Sequence, residues 1–411
     1  MKKAKHHPLP TSPSMVCPPT DHPPPKKKGL HLTPYILHLI FFFTIALLIS
    51  TTSLQAQFSL NGYIRDMQTE MFAHPDSTWL HQNMLHNRLN FKYSPDTGIT
   101  FVAEFRNRLV WSSQDPVMGK KNDAGLVNAS WLVFSNQSAY FLTQADRFYA
   151  EWNTGKWTLT AGRQRINWSQ AFVWTPNDIF NNYSWFDFDY DERSGCDAAR
   201  IQYYTGASSR IDLAVKADSA GEITAGGLYA FGLGGYDVQV LGGYFAGTDV
   251  VAGAGFSGTL GKGSLRGECS YFHPAVNQGD TSGVVLASLG YDIMFENSLM
   301  LQGEVLFNGN KKPDALNPGQ MLFMVPSAKN IFVPGVSVFA SASYPLTPLV
   351  NSSISLMVLP EYKTMFAGPS FSFSLSDNSS LMLTSYFFSE MKEFNGYNRL
   401  YMFFLRYGYS F

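Results

Sequence analysis

Beyond residue 56, apolar and polar side chains alternate with period two along most of the chain. Leu85, Leu89, Phe91 and Tyr93 are separated by His86, Arg88, Asn90 and Lys92; Ile99, Phe101, Ala103, Phe105 and Leu109 alternate with Thr100, Glu104, Arg106 and Arg108. Such alternation gives a β-strand one apolar and one polar face. It recurs at Trp157–Ala161, Ala199–Tyr203, Ile211–Val215, Leu265–Tyr271, Leu299–Phe307 and Phe371–Leu375. With its flanks, each segment offers the roughly nine to eleven residues that a tilted strand needs to cross a bilayer.

The links between these segments fall into two classes. Short, turn-rich ones are SPDTG (94–98), NTGK (153–156), TGASS (205–209), GLGG (232–235), GKG (261–263) and SDNSS (376–380); longer ones lie at 67–83, 112–140, 166–196 and 308–332. The pattern predicts an all-β fold, a transmembrane antiparallel up-and-down barrel with short periplasmic turns and long outer loops. Counting in that order gives 18 strands, with 16 as the alternative because Gly and Pro blur 218–250 and 333–360. A soluble β-sandwich would need far fewer strands and would not place aromatic residues on the aliphatic face near strand ends.

Residues 57–411 are the predicted barrel, and 1–56 an N-terminal extension with a signal peptide. Lys26, Lys27 and Lys28 precede an apolar run from Tyr35 to Ile49 that ends in SLQAQ, which reads as export with cleavage after Ala56. A membrane helix usually needs about 20 apolar residues; this run is shorter and contains His38. Met15 is an alternative start, and Cys17 precedes the apolar run, so it is no lipoprotein cysteine.

Composition removes other classes. Of 411 residues 15% are charged and 15% aromatic, and the part after residue 56 holds 24 basic and 30 acidic side chains, a net of −6. No basic field is left to attract nucleic acid. Cys196 and Cys269, the two cysteines of the exported part, decide nothing about a disulfide and lack a CxxC partner, which disfavours zinc.

The carboxyl terminus RLYMFFLRYGYSF places Tyr401, Phe403, Leu405, Tyr407, Tyr409 and Phe411 on one face. It resembles the terminal strand of Gram-negative outer-membrane barrels, in which alternating aromatics end in a Phe recognised by the assembly machinery. The resemblance makes Tyr407, Tyr409 and Phe411 an assembly signal. It implies the barrel assembly machinery, outer-membrane lipids and lipopolysaccharide as partners, in a monomer or a homotrimer. The AQ start and abundant Tyr and Asn resemble secreted barrels of Bacteroidota.

Candidate chemistry gathers in WFDFDYDERSG, Trp185 to Gly195, inside the third long loop, 166–196. In general porins, which this architecture resembles, the third outer loop folds into the lumen and carries the acidic side of a constriction opposite a basic wall. That implies Asp187, Asp189, Asp191 and Glu192 facing Arg88, Arg106, Arg108 and Arg200, with Lys92. A basic side chain left in lipid at mid-membrane would cost roughly 2–4 kcal/mol, so the lumen is the reasonable home for the arginines. GRQRINWSQAFVWTPNDIF (162–180) and DERSGCDAARIQYY (191–204) also resemble a segment of porin-like and alginate-export-like barrels. Strict alternation would send Arg163 and Arg165 outward with Trp157 and Leu159; a bulge at Gly162 is expected to turn both toward the acids.

Several readings of the loop stand side by side. The acids are pore-lining, or pinned by Arg163, Arg165 and Arg193 to fix the loop's shape. An EF-hand is excluded, since Glu192 occupies the position that requires Gly and Ala198 the position of the last Glu, although a looser Ca²⁺ site of carboxylates and carbonyls stays open. Trp168, Trp174 and the neighbouring rings suit either stacking on sugars or a small core that packs the loop to the wall. Enzymatic function is not expected: the exported part has His74, His81, His86 and His273, and none has a matched Ser. The sequence reads as a porin-like outer-membrane channel for passive diffusion of small hydrophilic solutes, with the 166–196 loop lining a constriction and no resident cofactor. The alternatives are a substrate-specific transporter for saccharides or hydrophobic compounds, and a surface receptor or adhesin.

Overall fold

The computed structural model describes residues 57–95, 98–114, 123, 125–181, 183–187, 189, 192–275, 282–313, 321–322, 324, 326–390 and 399–411; the expected extension and signal, 1–56, lie outside them. Alternation over these residues folds into strands β1 (Phe58–Phe72), β2 (Leu80–Tyr93), β3 (Ile99–Ser112), β4 (Ser130–Ser135), β5 (Ala139–Thr154), β6 (Trp157–Gln164), β7 (Cys196–Tyr204), β8 (Arg210–Ala217), β9 (Ile223–Leu233) and β10 (Tyr236–Phe245). They continue as β11 (Asp249–Leu260), β12 (Gly263–Pro274), β13 (Val284–Met294), β14 (Met300–Asn308), β15 (Gly335–Thr347), β16 (Val350–Leu359), β17 (Thr364–Ser376), β18 (Ser379–Glu390) and β19 (Arg399–Ser410).

Eighteen of these strands close into one antiparallel barrel, so the expected 18 holds and 16 does not. β3 pairs directly with β5, and β1 pairs with β19 as well as with β2. The remaining strand, β4, bonds to Tyr140–Gln144 of β5, whereas β6 bonds to Phe148–Thr154 further along the same strand. Closure leaves no sheet edge, which is the condition for backbone amides to sit in hydrocarbon. At the seam Gly62 N–H donates to Phe411 O at 2.9 Å and Phe411 N–H to Gly62 O at 3.0 Å.

The turn end and the loop end differ in their aromatic belts. Outward Trp152, Trp157, Tyr344, Tyr409 and Phe411 mark the turn end; Trp79, Trp111, Tyr271, Phe307 and Phe403 mark the loop end, with exposed Leu213, Val240, Leu289 and Val305 on the outer face. Rings at both interfaces flanking an apolar band are what a bilayer selects. The predicted turns fall at strand connections, but the connection expected at 67–83 shrinks to residues 73–79, because β1 runs to Phe72 and β2 begins at Leu80. The outward positions there are Asp66, Gln68, Glu70, His81 and Asn83, which hide the alternation from a reader looking for an apolar face.

Inside, β15 to β19 carry two storeys. Toward the turn end the inward side chains are small and polar, as at Ser341, Ser353, Ser355, Ser370 and Ser372; toward the loop end they become Phe339, Met357, Phe366, Phe388 and Phe404, all buried. Such rings cannot lie bare in a wet lumen without a hydrophobic cost. Their cover comes from the loops.

Candidate functional site: the inward loop

The segment between β6 and β7, residues 165–195, leaves the wall and packs inside the barrel. Its neck is held by Asn181, whose Oδ1 accepts from Ile166 N–H at 2.9 Å and whose Nδ2 donates to Ser194 O at 3.0 Å. Gly195 N–H reaches Asp146 O at 3.3 Å.

The first lobe, 166–181, lies against β8 to β14. Glu268 of β12 accepts from the backbone N–H groups of Gln170, Ala171 (2.7 Å) and Asn177 (2.9 Å). Glu304 of β14 accepts from Phe172 (3.3 Å), Val173 (3.0 Å) and Trp174 (2.8 Å). A loop buried in a barrel brings backbone donors that need acceptors, and two wall carboxylates supply six of them. Close approach requires glycine at the wall: a Cβ on Gly253 would lie 2.7 Å from Asn177 Oδ1, and one on Gly255 2.8 Å from Asn177 Nδ2. Lys216 Nζ donates to Phe180 O at 2.6 Å. Asp178 is fully buried, and burial pushes its carboxyl up to about 7 against the lowering effect of the Asn181 N–H.

The described residues of the second lobe, 183–187, 189 and 192–194, cross to the opposite wall and cover the apolar storey. Trp185 meets Phe339 edge-on at 5.1 Å between ring centres, and Phe186 lies 5.2 Å from Phe366 and 5.4 Å from Phe388. Asp189 then docks on the β19–β1–β2 wall: its Oδ2 is 2.8 Å from His86 Nδ1, its Oδ1 is 3.6 Å from Arg406, and its carbonyl accepts from Arg65 at 2.9 Å. Burial alone would raise the Asp189 carboxyl, but the hydrogen bond and charge of His86, with Arg406 and Arg65, outweigh it and hold the group below its ordinary value. Glu192 accepts from Tyr63 Oη at 3.1 Å, and its carbonyl accepts from Arg147 at 2.5 Å and Arg165 at 3.4 Å. Arg193 stacks 3.1 Å over the ring of Tyr183; burial lowers the guanidinium's proton affinity and pushes the phenol up to about 12.

Of the wall arginines, Arg88 stands 3.9 Å from an expected acid, Glu192, and all four also bind partners on the wall. Arg88 is fully buried between Glu104 and Asp146, with the Asp146 contact at 2.6 Å. Arg106 and Arg108 both donate to Gln144 Oε1, at 2.9 and 2.6 Å, and Arg200 binds Asp212 at 2.5 Å. Arg163 is a correction. Gly162 does adopt φ +115°, but the β5–β6–β7 register runs on without a shift, and Arg163 stays in the row of exposed Phe148. There it pairs with Asp123 and Asp197, each at 2.7 Å, rather than with the acidic ladder. Arg165 does turn to the loop, at the Glu192 carbonyl. Of the ladder, Asp187 is exposed and Asp189 buried, while Asp191 lies outside the described residues. Trp168 and Trp174 are buried in the packed core, so the core reading fits them and the sugar-stacking reading does not.

The sequence matches no protein-family model and no curated protein. Solved structures do share its fold. The outer membrane protein OprD from Pseudomonas aeruginosa superposes with a TM-score of 0.52 at 10% identity, over 86% of this chain and 93% of that one. OccK5 (OpdH) of the same organism gives 0.55 at 10% identity, over 86% and 98%. OpdK from Pseudomonas aeruginosa, solved with vanillate, gives 0.53 at 9% identity, over 87% and 99%. The fold is that of an outer-membrane porin.

Within this porin fold the residues that position the loop include four the sequence did not single out, Glu268, Glu304, Arg65 and Arg406, and His86, which the sequence named without its partner. Each sits at an ordinary inward strand position. The available signal is a carboxylate on an inward face beside glycines and serines, as at Glu268 near Gly253 and Ser270, where a buried acid needs donors from elsewhere.

Proposed function

We propose that the protein is an outer-membrane porin-like channel for passive diffusion of small hydrophilic solutes, narrowed by the 165–195 loop. The observation that carries this reading is the docking of that loop inside the barrel, with its backbone held by Glu268 and Glu304 and with Asp187 left exposed. The packed rings on the β15–β19 side direct an aqueous route to the charged side, where half-buried Arg65 and Arg147 stand on β1 and β5. Fixed charges of both signs around a pore select solutes by sign and orientation. A carboxylate solute, the chemistry of the vanillate held by OpdK, would meet guanidinium groups on this side. The reading gives the chain no catalytic step.

The test is single-channel conductance with reversal potential in a salt gradient. Asp187→Asn should shift selectivity toward anions, and the triple change of Asp187, Asp189 and Asp191 to Asn should shift it further. A folded barrel that does not conduct, or selectivity equal in all three proteins, would overturn the reading.

A further inference from the structure

On the turn-end side of the first lobe the lumen holds a pocket of about 340 Å³, between loop residues 167–170 and the turn ends of β7 to β11. The strand register makes the space. Tyr204 of β7, Arg210 of β8, Ala230 of β9 and Gln239 of β10 form one row, and in the next Asp237 of β10 faces Gly232 of β9. Ala230 and Gly232 leave the wall between Arg210 and Asp237 nearly bare. The loop closes the other side: Gln239 Nε2 donates to Trp168 O at 2.5 Å, and Gln170 Nε2 donates to Asp237 O at 3.2 Å. The indole of Trp168 stays in the packed core.

Ligand pockets are for the most part apolar with a few polar groups; the lining here is the reverse. Asn167, Gln170, Ser208, Ser209 and Ser257 bring amides and hydroxyls that both donate and accept. Gln170 Oε1 is buried without a hydrogen-bond partner, and so is Arg210 Nε, which stands 3.9 Å from Asp212. Asp212 is already taken by Arg200, through Nε at 2.9 Å and through Nη2. Charge cancels around the pocket, with Arg200 and Arg210 set against Asp212 and Asp237. An ion therefore meets no net attraction. A neutral solute with many hydroxyls meets donors and acceptors on several sides, and the ring of Tyr204 suits the apolar face of a sugar.

We propose that this pocket is a saccharide subsite on the turn-end side of the constriction, where a sugar that has passed the loop is held before release. It is built on β7 to β11, apart from the guanidinium groups of β1 and β5. The inference rests on the channel reading and deepens it, giving the channel a neutral, polyhydroxylated class of solute. Holding is weak by necessity, because a site on a conducting path must release what it binds.

The experiment adds maltose to the refolded protein in a planar bilayer. Maltose should interrupt the ion current with a frequency that saturates, and Tyr204→Ala and Gln170→Ala should each raise the half-saturating concentration several-fold. Equilibrium dialysis of radiolabelled maltose, against protein refolded in a detergent that carries no sugar, reads the same affinities without conduction. A conducting channel that maltose neither interrupts nor occupies, equal affinity in the parent and both variants, or saturation by benzoate but not by maltose would overturn the subsite and leave the channel standing. A barrel that binds maltose in dialysis through Tyr204 and Gln170, yet does not conduct, would overturn the channel and support the saccharide site. Should Tyr204→Ala fail to fold, Ser208→Trp on the 205–209 turn fills the pocket and should give the same loss.

Discussion

Two buried aspartates in one loop are driven in opposite directions, and the reason is who stands beside them. Asp189 has the His86 hydrogen bond with Arg406 and Arg65, so its charged form is favoured; Asp178 is fully buried, and burial outweighs the Asn181 N–H and the charges of Arg165, Arg193 and Lys216, so its carboxyl rises to about 7. For Asp178 the docked loop binds the proton more tightly than a free chain would, whose carboxyl titrates near 3.8. Its stabilising contribution is therefore complete below that value and is lost as pH rises through about 7. Hydrogen exchange at the backbone of 166–181 should quicken between these limits, and Asp178→Asn, neutral throughout, should flatten the profile. An unchanged profile in the variant would assign the pH response elsewhere. The ladder itself was legible as a chemical feature of the sequence; the partner of Asp189 was not, because His86 lies 103 residues away and no local pattern links them.

At the scale of elements, the loop is placed by two strands that contribute acceptors. Hydrogen bonds to a charged acceptor are worth about 1.5–3 kcal/mol each in net terms, and a buried N–H left unpaired costs about 1–3 kcal/mol. Replacing Glu268 and Glu304 together by Ala strips six backbone donors of their partners without touching any strand-to-strand bond. The barrel should still fold, the first lobe should become protease-sensitive, and conductance should rise several-fold as the lumen opens; a rise without protease sensitivity would argue against release of the loop. Why these acids escape a sequence reading is physical. Strand alternation is a local property, so β2, β3 and the tight turns at 205–209 and 261–262 could be drawn from neighbouring residues alone. Docking is not local: Glu268 reaches back 98 residues to Gln170 and Glu304 130 to Trp174, and the partners are backbone groups that every residue possesses. The misplaced connection near 67–83 has the other cause, a polar outer face on β1 and β2 that breaks the rule by which membrane strands are recognised.

For the whole molecule, closure is the decisive event, because until β1 meets β19 both strands carry open edges. The seam runs from Tyr63–Ser410 to Phe72–Tyr401, and Phe411 adds two backbone hydrogen bonds to Gly62 beyond it. The ring of Phe411 contributes little to that seam: it is 45% exposed, so removing it forfeits only part of the roughly 1.5–3 kcal/mol that a fully buried phenylalanine provides. Gly62 is the opposite case. A Cβ there would stand 2.1 Å from Arg88 O, a contact that forces the β1–β2 backbones apart. The two positions thus separate assembly from stability. Phe411→Ser should lower the amount of folded barrel reaching the membrane in cells, while the refolded protein keeps nearly the same unfolding temperature, read as the loss of heat-modifiable mobility on a gel. Gly62→Ala should lower that temperature whether the barrel is assembled in cells or refolded in detergent. If Phe411→Ser instead loses stability in detergent and assembles normally in cells, the terminal ring is a structural part of the seam and not a signal read during assembly.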